Sequence, residues 1–323
     1  MVAAGRESRP GQCVLVTGAT GFIGAHLVRK LLAEGCAVTA LTRQPERAAA
    51  RLGPQVRCIA GVAALPPSEP VDVVINLAGE PILGPRWTPA RKATLLQSRA
   101  GITRDLVQWM AGADRKPALM LSASAIGYYG VQRQGDDAPL AEDSPSQPMF
   151  MSELCRRWEA EAAGAAEFGV RVACMRFGVV LGQQGALPMM LTSIRLGIGG
   201  RLGTGRQWIA WIHLRDLLRA IDHVWRQALT ADVAAHGGTA TNGAGIYNLV
   251  APEAVRQADF SRIAARLLHR PALLRTPATP LRLMLGEQAD LLLEGQRVVP
   301  ARLEREGFRF EFPTLEAALR DLI

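Results

Sequence analysis

The sequence predicts an α/β protein, a doubly wound parallel sheet with a smaller, mainly helical C-terminal lobe. Two observations carry this prediction. Short apolar runs alternate with helix-like segments through the first half of the chain, the pattern left by β-α-β crossovers. The first of these runs, Val14-Leu15-Val16-Thr17, enters a turn bearing Gly18, Gly21 and Gly24 and continues as a helix-like segment to Glu34.

Each element follows from local chemistry. Gly18 permits the tight turn, Gly21 lets a phosphate approach the backbone, and Gly24 lets the helix pack closely on the strand. The helix start then offers free N–H groups and positive dipole to a pyrophosphate. Strand-like runs cover residues 13–17, 37–41, 56–59, 71–77, 118–122 and 170–177. Helix-like segments at 23–34, about 89–110 and 152–168 separate most of them, and Thr88-Pro89 suits an N-cap with proline at the first helical position. The run Val71-Asp72-Val73-Val74-Ile75-Asn76 is nearly all β-branched, as in a central strand buried on both faces. After Phe177 the alternation breaks into glycine-rich loops at 182–185 and 197–206. A helix at 214–227, a surface loop at 231–245 and a strand at 246–250 follow, and the remainder reads as mainly helical. The expected layout is a nucleotide-binding sheet over 12–180, completed by about 214–250, with 181–213 and 251–323 forming the smaller lobe. Apolar spacing at Leu281, Leu285, Ala289 and Leu292, and again at Leu315, Ala318 and Leu322, predicts core, with a homodimer face left open.

Composition narrows the function. No run reaches the eighteen or so apolar residues of a membrane helix, and polar residues 1–11 read as a frayed tail without an export segment. The five cysteines (Cys13, Cys36, Cys58, Cys155 and Cys174) lack metal-ligand spacing, so no metal is expected and a cytoplasmic, reducing setting fits. The net charge of +8 is spread along the chain without a basic tail. This favours anionic small ligands over nucleic acid.

The end of the second strand selects the nucleotide. A binder of NAD places Asp or Glu there for the ribose hydroxyls. This chain places Thr42 and Arg43, with Arg47 one turn on. A guanidinium grips a 2′-phosphate through paired charged hydrogen bonds, each contributing about 1.5–3 kcal/mol. The expected cofactor is therefore NADP(H). Its predicted seat comprises Gly18, Thr20, Gly21, Phe22, Ile23 and Gly24, then Thr42 and Arg43, then Leu77, Ala78, Gly79 and Glu80 where the fourth strand ends, and Ser122 on the fifth. Glu80 is either a pocket acid or a loop carboxylate.

The residues Thr17-Gly18-Ala19-Thr20-Gly21-Phe22-Ile23-Gly24, Asn76-Leu77-Ala78-Gly79, Ser122-Ala123-Ser124, Tyr129-Gly130 and His213-Leu214-Arg215-Asp216 resemble the extended short-chain dehydrogenase/reductase superfamily over about 12–250. A narrower resemblance spans nearly the whole chain. It rests on Gly79-Glu80-Pro81-Ile82, Arg86-Trp87, Ser98-Arg99, Gly127-Tyr128-Tyr129-Gly130, Arg157-Trp158-Glu159, Gln207-Trp208 through His213, Leu285-Gly286-Glu287, Gln296 through Pro300 and Gly307-Phe308-Arg309-Phe310. These are similar to the atypical branch called epimerase-family proteins, including its C-terminal domain of unknown function. The resemblance implies a Rossmann fold that binds NADP, and adds Arg99 and Val179 as residues lining the cofactor.

The superfamily's engine is a Ser with Tyr-x-x-x-Lys on one helix, where a tyrosine of lowered pKa passes a proton while hydride moves. Aligned from Pro148, this chain has Phe150 for the Tyr and Leu154 for the Lys, and 131–246 contains neither Tyr nor Lys. Substitutes for the missing acid are few: Ser124 (with Ser122) as a hydrogen-bonding group, and Tyr128 or Tyr129 as acid or as cofactor packing. Arg99 could supply the lost positive charge. Cys155 reads as a core thiol unless Arg156 and Arg157 activate it. Trp208, Trp211, His213 and Asp216 either wall a substrate or anchor the lobe, with His213–Asp216 a bond at the junction. Two functions remain open: an NADP(H)-dependent oxidoreductase or epimerase with a non-standard acid, and a non-catalytic NADPH-binding structural or sensor protein. An ordinary nucleotide-sugar epimerase is disfavoured because it needs the tyrosine. Substrate, reaction direction and oligomeric state are not written in the sequence.

Overall fold

The computed structural model describes residues 9–230, 245–272 and 274–323. Seven parallel strands form the central sheet. Six come in chain order as β1 (Cys13–Thr17), β2 (Ala37–Leu41), β3 (Val56–Ile59), β4 (Val73–Asn76), β5 (Leu119–Ala125) and β6 (Arg171–Phe177), and the seventh is Gly245–Leu249. Across the sheet the order is Gly245–Leu249, β6, β5, β4, β1, β2, β3. The chain direction across the sheet therefore reverses between β1 and β4, and the carboxyl ends of those two strands open a crevice where ligands bind in such sheets.

Both faces are covered, which is why the strands are largely apolar. On one side Val14, Val16, Val73 and Ile75 pack with Leu27 and Leu31 of α1 (Phe22–Ala33) and, further along the chain, with Leu217, Ile221 and Val224 of the helix Leu214–Thr230. Alternate residues Leu15, Val74 and Met120 point the other way, onto Leu106, Trp109, Met110 and Ala162. Beyond β2 lies a helix not expected from the sequence, α2 (Pro45–Leu52), with proline in its first turn. The predicted helix at 89–110 is three segments: α3 (Pro89–Leu96), a π-helical turn at Gln97–Gly101 and α4 (Ile102–Gly112). Thr88 caps it as expected, accepting from the Arg91 N–H at 3.2 Å. Next come α5 (Phe150–Ala163) and α6 (Ala186–Arg195), the latter also missed in the sequence.

A separate cluster gathers Leu181, Leu187, Leu191, Trp211, Phe260, Leu315 and Leu319. Around it run short paired strands: Val179–Leu181 with Trp211–His213, Trp208–Ile209 with Val255–Arg256, and Gly200–Leu202 with Leu274–Thr276. Two expectations need correction. Arg9 to Gly11 are docked rather than frayed, since the Arg9 N–H donates to the Glu34 carbonyl at 2.9 Å and its guanidinium lies 4.0 Å from the Trp225 ring. The helix Ala278–Leu285 is not core: Leu281 and Leu285 are half-buried, while Leu283 and Met284 are 74% and 72% exposed. The loop expected at 231–245 lies outside the described residues except for Gly245. Among the described residues no helix is long and apolar enough to cross a membrane, and no His, Cys, Asp and Glu cluster could hold a metal.

Candidate cofactor cleft and active site

The crevice at the ends of β1 and β4 is built from glycine. Gly18 has φ +65°, and a Cβ on it would stand 2.6 Å from the Leu77 carbonyl oxygen. Only glycine lets the first turn lie against the end of β4. At Gly24 a Cβ would meet the Gly18 oxygen at 2.2 Å, so α1 sits as close to the turn as backbone permits. Gly21 is the extended N-cap of α1 and brings no capping side chain, which leaves the first helical N–H groups to an anion from the crevice. Thr17 fixes the junction: its hydroxyl donates to Asn76 Oδ1 at 2.7 Å and accepts from the Leu77 and Ala78 N–H groups.

Three arginines ring the next turn. Arg43, its side chain 89% exposed, bonds Glu80 Oε1 at 2.7 Å, and Arg91 approaches the other Glu80 oxygen at 4.0 Å. Glu80 is thus a loop carboxylate shared by two guanidinium groups. Arg99 comes from the π-helical turn, whose extra residue per turn rotates it inward. It lies flat on Gly79, where a Cβ would be 3.1 Å from its Cζ, and donates to the Glu80 carbonyl at 2.8 Å. Burial pulls its pKa below the usual arginine value. Ser122 is fully buried and receives Asn76 Nδ2 at 3.3 Å, while Val179 is half-buried on its short strand.

The candidate acids fare unequally. Ser124 is 2% exposed and donates to Glu159 Oε1 at 2.6 Å, so its proton is committed to α5 rather than to the crevice. Strand alternation puts Ser122 and Ser124 on one side and leaves half-buried Ala125 at the strand's end on the other. Both hydroxyls are engaged within the protein, Ser122 with Asn76 and Ser124 with Glu159. Tyr129 is 1% exposed, donates to Asn248 Oδ1 at 2.7 Å and accepts from Arg176 at 2.9 Å. Burial pushes its hydroxyl up to about 12, although Arg176 pulls the other way. Tyr128 is half-buried, with the Arg176 guanidinium 3.4 Å from its ring centroid. Burial likewise pushes the Cys155 thiol up to about 12, and Arg156 and Arg157 turn instead to Glu153, so this cysteine is a core thiol.

Phe150 and Leu154 share one face of α5. Phe150 meets Trp87 edge-on at 5.1 Å, with the Lys92 ammonium 4.9 Å from its ring, and Leu154 is buried among Trp87, Leu95 and Met151. His213 and Asp216 do not bond each other. Asp216 accepts from the Glu311 and Phe312 N–H groups, both at 2.8 Å, while His213 stacks on Phe312 at 3.9 Å. Trp211 is fully buried in the lobe's core, whereas half-buried Trp208 donates from Nε1 to Asp137 at 3.2 Å and has the Arg256 guanidinium 3.6 Å from its ring centroid.

Sequence reasoning missed the pair that organises this region. Glu159 accepts from Arg176 Nε at 2.8 Å and from its Nη2 at 2.9 Å. The signal was present: a carboxylate on the apolar stripe of α5, and an arginine inside the otherwise apolar run of β6.

Residues 14–235 match the family described as NAD dependent epimerase/dehydratase, and residues 276–322 match a domain of unknown function, DUF1731. The chain belongs to the NAD dependent epimerase/dehydratase family. Among its relatives, the epimerase family protein SDR39U1 homolog, chloroplastic, of Arabidopsis thaliana is 36% identical over 100% of this chain and 90% of its own length. Epimerase family protein YfhF of Bacillus subtilis is 36% identical over 96% and 97%. The crystal structure of human epimerase family protein SDR39U1 (isoform 2) with NADPH superposes with a TM-score of 0.80 at 34% identity, covering 96% of this chain and 99% of that one. UDP-galactose 4-epimerase, at 20% identity and a TM-score of 0.71, shares the fold.

Proposed function

We propose that this chain binds NADP(H) in the crevice between β1 and β4 and exchanges hydride with a small carbonyl or hydroxyl substrate, without a Tyr-x-x-x-Lys pair. The observation that carries the reading is the glycine cradle with Arg43, not an acid, at the end of β2. The relative solved with NADPH supports it. The residues present fit the cofactor: Gly18 and Gly24 hold the backbone low, and the start of α1 faces the pyrophosphate position. When bound, the nicotinamide supplies or accepts hydride.

The chain's own residues do the rest. Arg43 leaves Glu80 for the 2′-phosphate, and Glu80 retains Arg91. Arg99 carries the positive charge that Leu154 does not, over the backbone of Gly79. Of the candidate acids, Tyr128 is the one whose ring stays partly open, so proton transfer falls to it. Calorimetric titration tests the first half: NADPH binds more tightly than NADH, and Arg43→Ala weakens NADPH about tenfold or more while sparing NADH. Equal affinity for both nucleotides would overturn it. The second half is tested by NADPH oxidation across a panel of carbonyl compounds, with turnover lost in Tyr128→Phe.

A second reading, binding without turnover, draws support from the apolar packing of Phe150 and Leu154 with Trp87. Stoichiometric NADPH binding with no oxidation across the panel would select it.

A further inference from the structure

Glu80 stands at the rim of the crevice between two arginines in unlike surroundings. Arg43 follows β2 and Glu80 follows β4, the two neighbours of β1, so their 2.7 Å ion pair reaches across the end of β1. The main chain of Glu80 is fixed: its N–H donates to Ser98 Oγ at 3.1 Å, and its carbonyl accepts from Arg99 Nη2 at 2.8 Å. Only the side chain is left to swing.

The two guanidinium groups differ in how far they are satisfied. Arg43 is 89% exposed, so water competes for its fork and the ion pair is weak. Arg91, on α3, is 17% exposed and has donors to spare. Its Nη2 donates to the Pro81 carbonyl. Its Nη1 stops 4.0 Å from Glu80 Oε2, beyond hydrogen-bond length, and its Nε is buried without a partner among the described residues. A desolvated N–H left unpaired is costly, and a carboxylate drawn closer relieves that cost. Glu80 therefore bonds the cation that water already serves and falls short of the one that lacks an acceptor.

We infer that Glu80 is a two-position switch for cofactor selection: it holds Arg43 until a 2′-phosphate takes that guanidinium, and then moves onto Arg91. Arg91 is thus a specificity-determining residue that does not touch the nucleotide. The inference rests on the NADP(H) reading above and adds the fate of the displaced carboxylate. A phosphate dianion offers more acceptor oxygens than a carboxylate and wins the exposed fork of Arg43. Left where it was, Glu80 would repel that phosphate; on Arg91 its charge is answered. NADH carries no 2′-phosphate, so it leaves the Arg43–Glu80 pair in place and gains nothing from Arg91.

Calorimetric titration of the full chain with NADPH and with NADH reads the switch as the ratio of the two affinities. Arg91→Gln should lower that ratio about fivefold, because the displaced carboxylate stays beside the phosphate. Arg91→Lys, which keeps the cation, should recover most of the loss. Glu80→Gln should raise the ratio about threefold or more. Adding Arg91→Gln to Glu80→Gln should change nothing further, since no carboxylate remains to be received. A ratio that falls as far with Arg91→Gln in the Glu80→Gln chain as in the wild type would make Arg91 act on the phosphate directly, and would overturn the inference. An Arg91→Gln chain with the wild-type ratio would overturn it equally. Both of these outcomes leave the wild-type preference for NADPH standing. Equal affinities in the wild type, with a preference for NADPH emerging in Glu80→Gln, would instead overturn the cofactor reading and support the switch. Equal affinities in both chains would overturn both.

Discussion

Arg176 and Glu159 show how one buried pair can organise a region without touching a ligand. Arg176 is 2% exposed, and burial works against its charge, yet its pKa is held above the usual value by the two hydrogen bonds it donates to the Glu159 carboxylate and by that group's negative charge. The same guanidinium also reaches Tyr129 and the Glu142 carbonyl, and Ser124 completes the carboxylate's shell. Removing one member leaves the other charge uncompensated in an apolar setting, which typically costs about 3–5 kcal/mol. Arg176→Leu should therefore lower the unfolding free energy by about that amount in urea titration, more than Ser124→Ala, which removes a single hydrogen bond worth about 1.5–3 kcal/mol to a charged acceptor. Equal losses in the two variants would show that Glu159 does not depend on Arg176. The serines and Tyr129 were legible in the sequence as polar residues after a strand, but their direction was not. Whether a hydroxyl faces a crevice or a helix depends on Glu159 and Asn248, which lie 35 and 119 residues away along the chain from Ser124 and Tyr129.

At the scale of elements, the β1–α1 junction was readable because its constraint is local. Gly18, Gly21 and Gly24 act within one turn, and the distances now rank them. A methyl on Gly24 would collide with the Gly18 carbonyl at 2.2 Å, backbone against backbone, whereas one on Gly21 would meet the same oxygen at 3.2 Å. Overpacking of the first kind costs about 1–3 kcal/mol or more, since neither partner can rotate away. Gly24→Ala should thus lower the thermal midpoint clearly. Gly21→Ala should leave stability nearly intact and act instead on nucleotide affinity. Paired melting curves and NADPH titrations separate the two, and a Gly21→Ala protein as unstable as Gly24→Ala would contradict this ranking. The π-helical turn at Gln97–Gly101 was not legible. Its sequence, Gln-Ser-Arg-Ala-Gly, reads as continuous helix, and what breaks the register is tertiary: Arg99 settles over Gly79, and Thr103 Oγ1 bonds back to the Arg99 carbonyl at 2.7 Å.

For the whole molecule, the central sheet could be read from the sequence because its strands are short, mostly apolar runs set between helix-like segments. The region around Trp211 could not, since its strands are two or three residues long and exist only through partners far along the chain, such as Ile209 with Val255. The C-terminal segment is joined to the rest by equally long-range contacts, and these carry a pH dependence. His213 Nδ1 accepts from the Arg215 N–H at 3.1 Å, so the proton of the neutral ring sits on Nε2, 3.3 Å from Asp321 Oδ2 on the final helix, Leu315–Leu322. Burial lowers the His213 pKa from 6.5, the attraction of Asp321 opposing this and the nearby Arg215 adding to it, with Asp216 and Glu311 also in range. The sign follows. Because the unfolded chain binds this proton more readily than the folded one, stability is full above about pH 6.5 and falls as pH drops through the unfolded value toward the folded one. Denaturation midpoints should therefore decline between about pH 7 and pH 5, and His213→Gln should flatten that part of the curve. Hydrogen exchange at Glu311 and Phe312, whose N–H groups are held by Asp216, should accelerate over the same interval in the wild-type chain and not in the variant. An unchanged slope in His213→Gln would assign the acid sensitivity to another group and leave this histidine as packing against Phe312 alone.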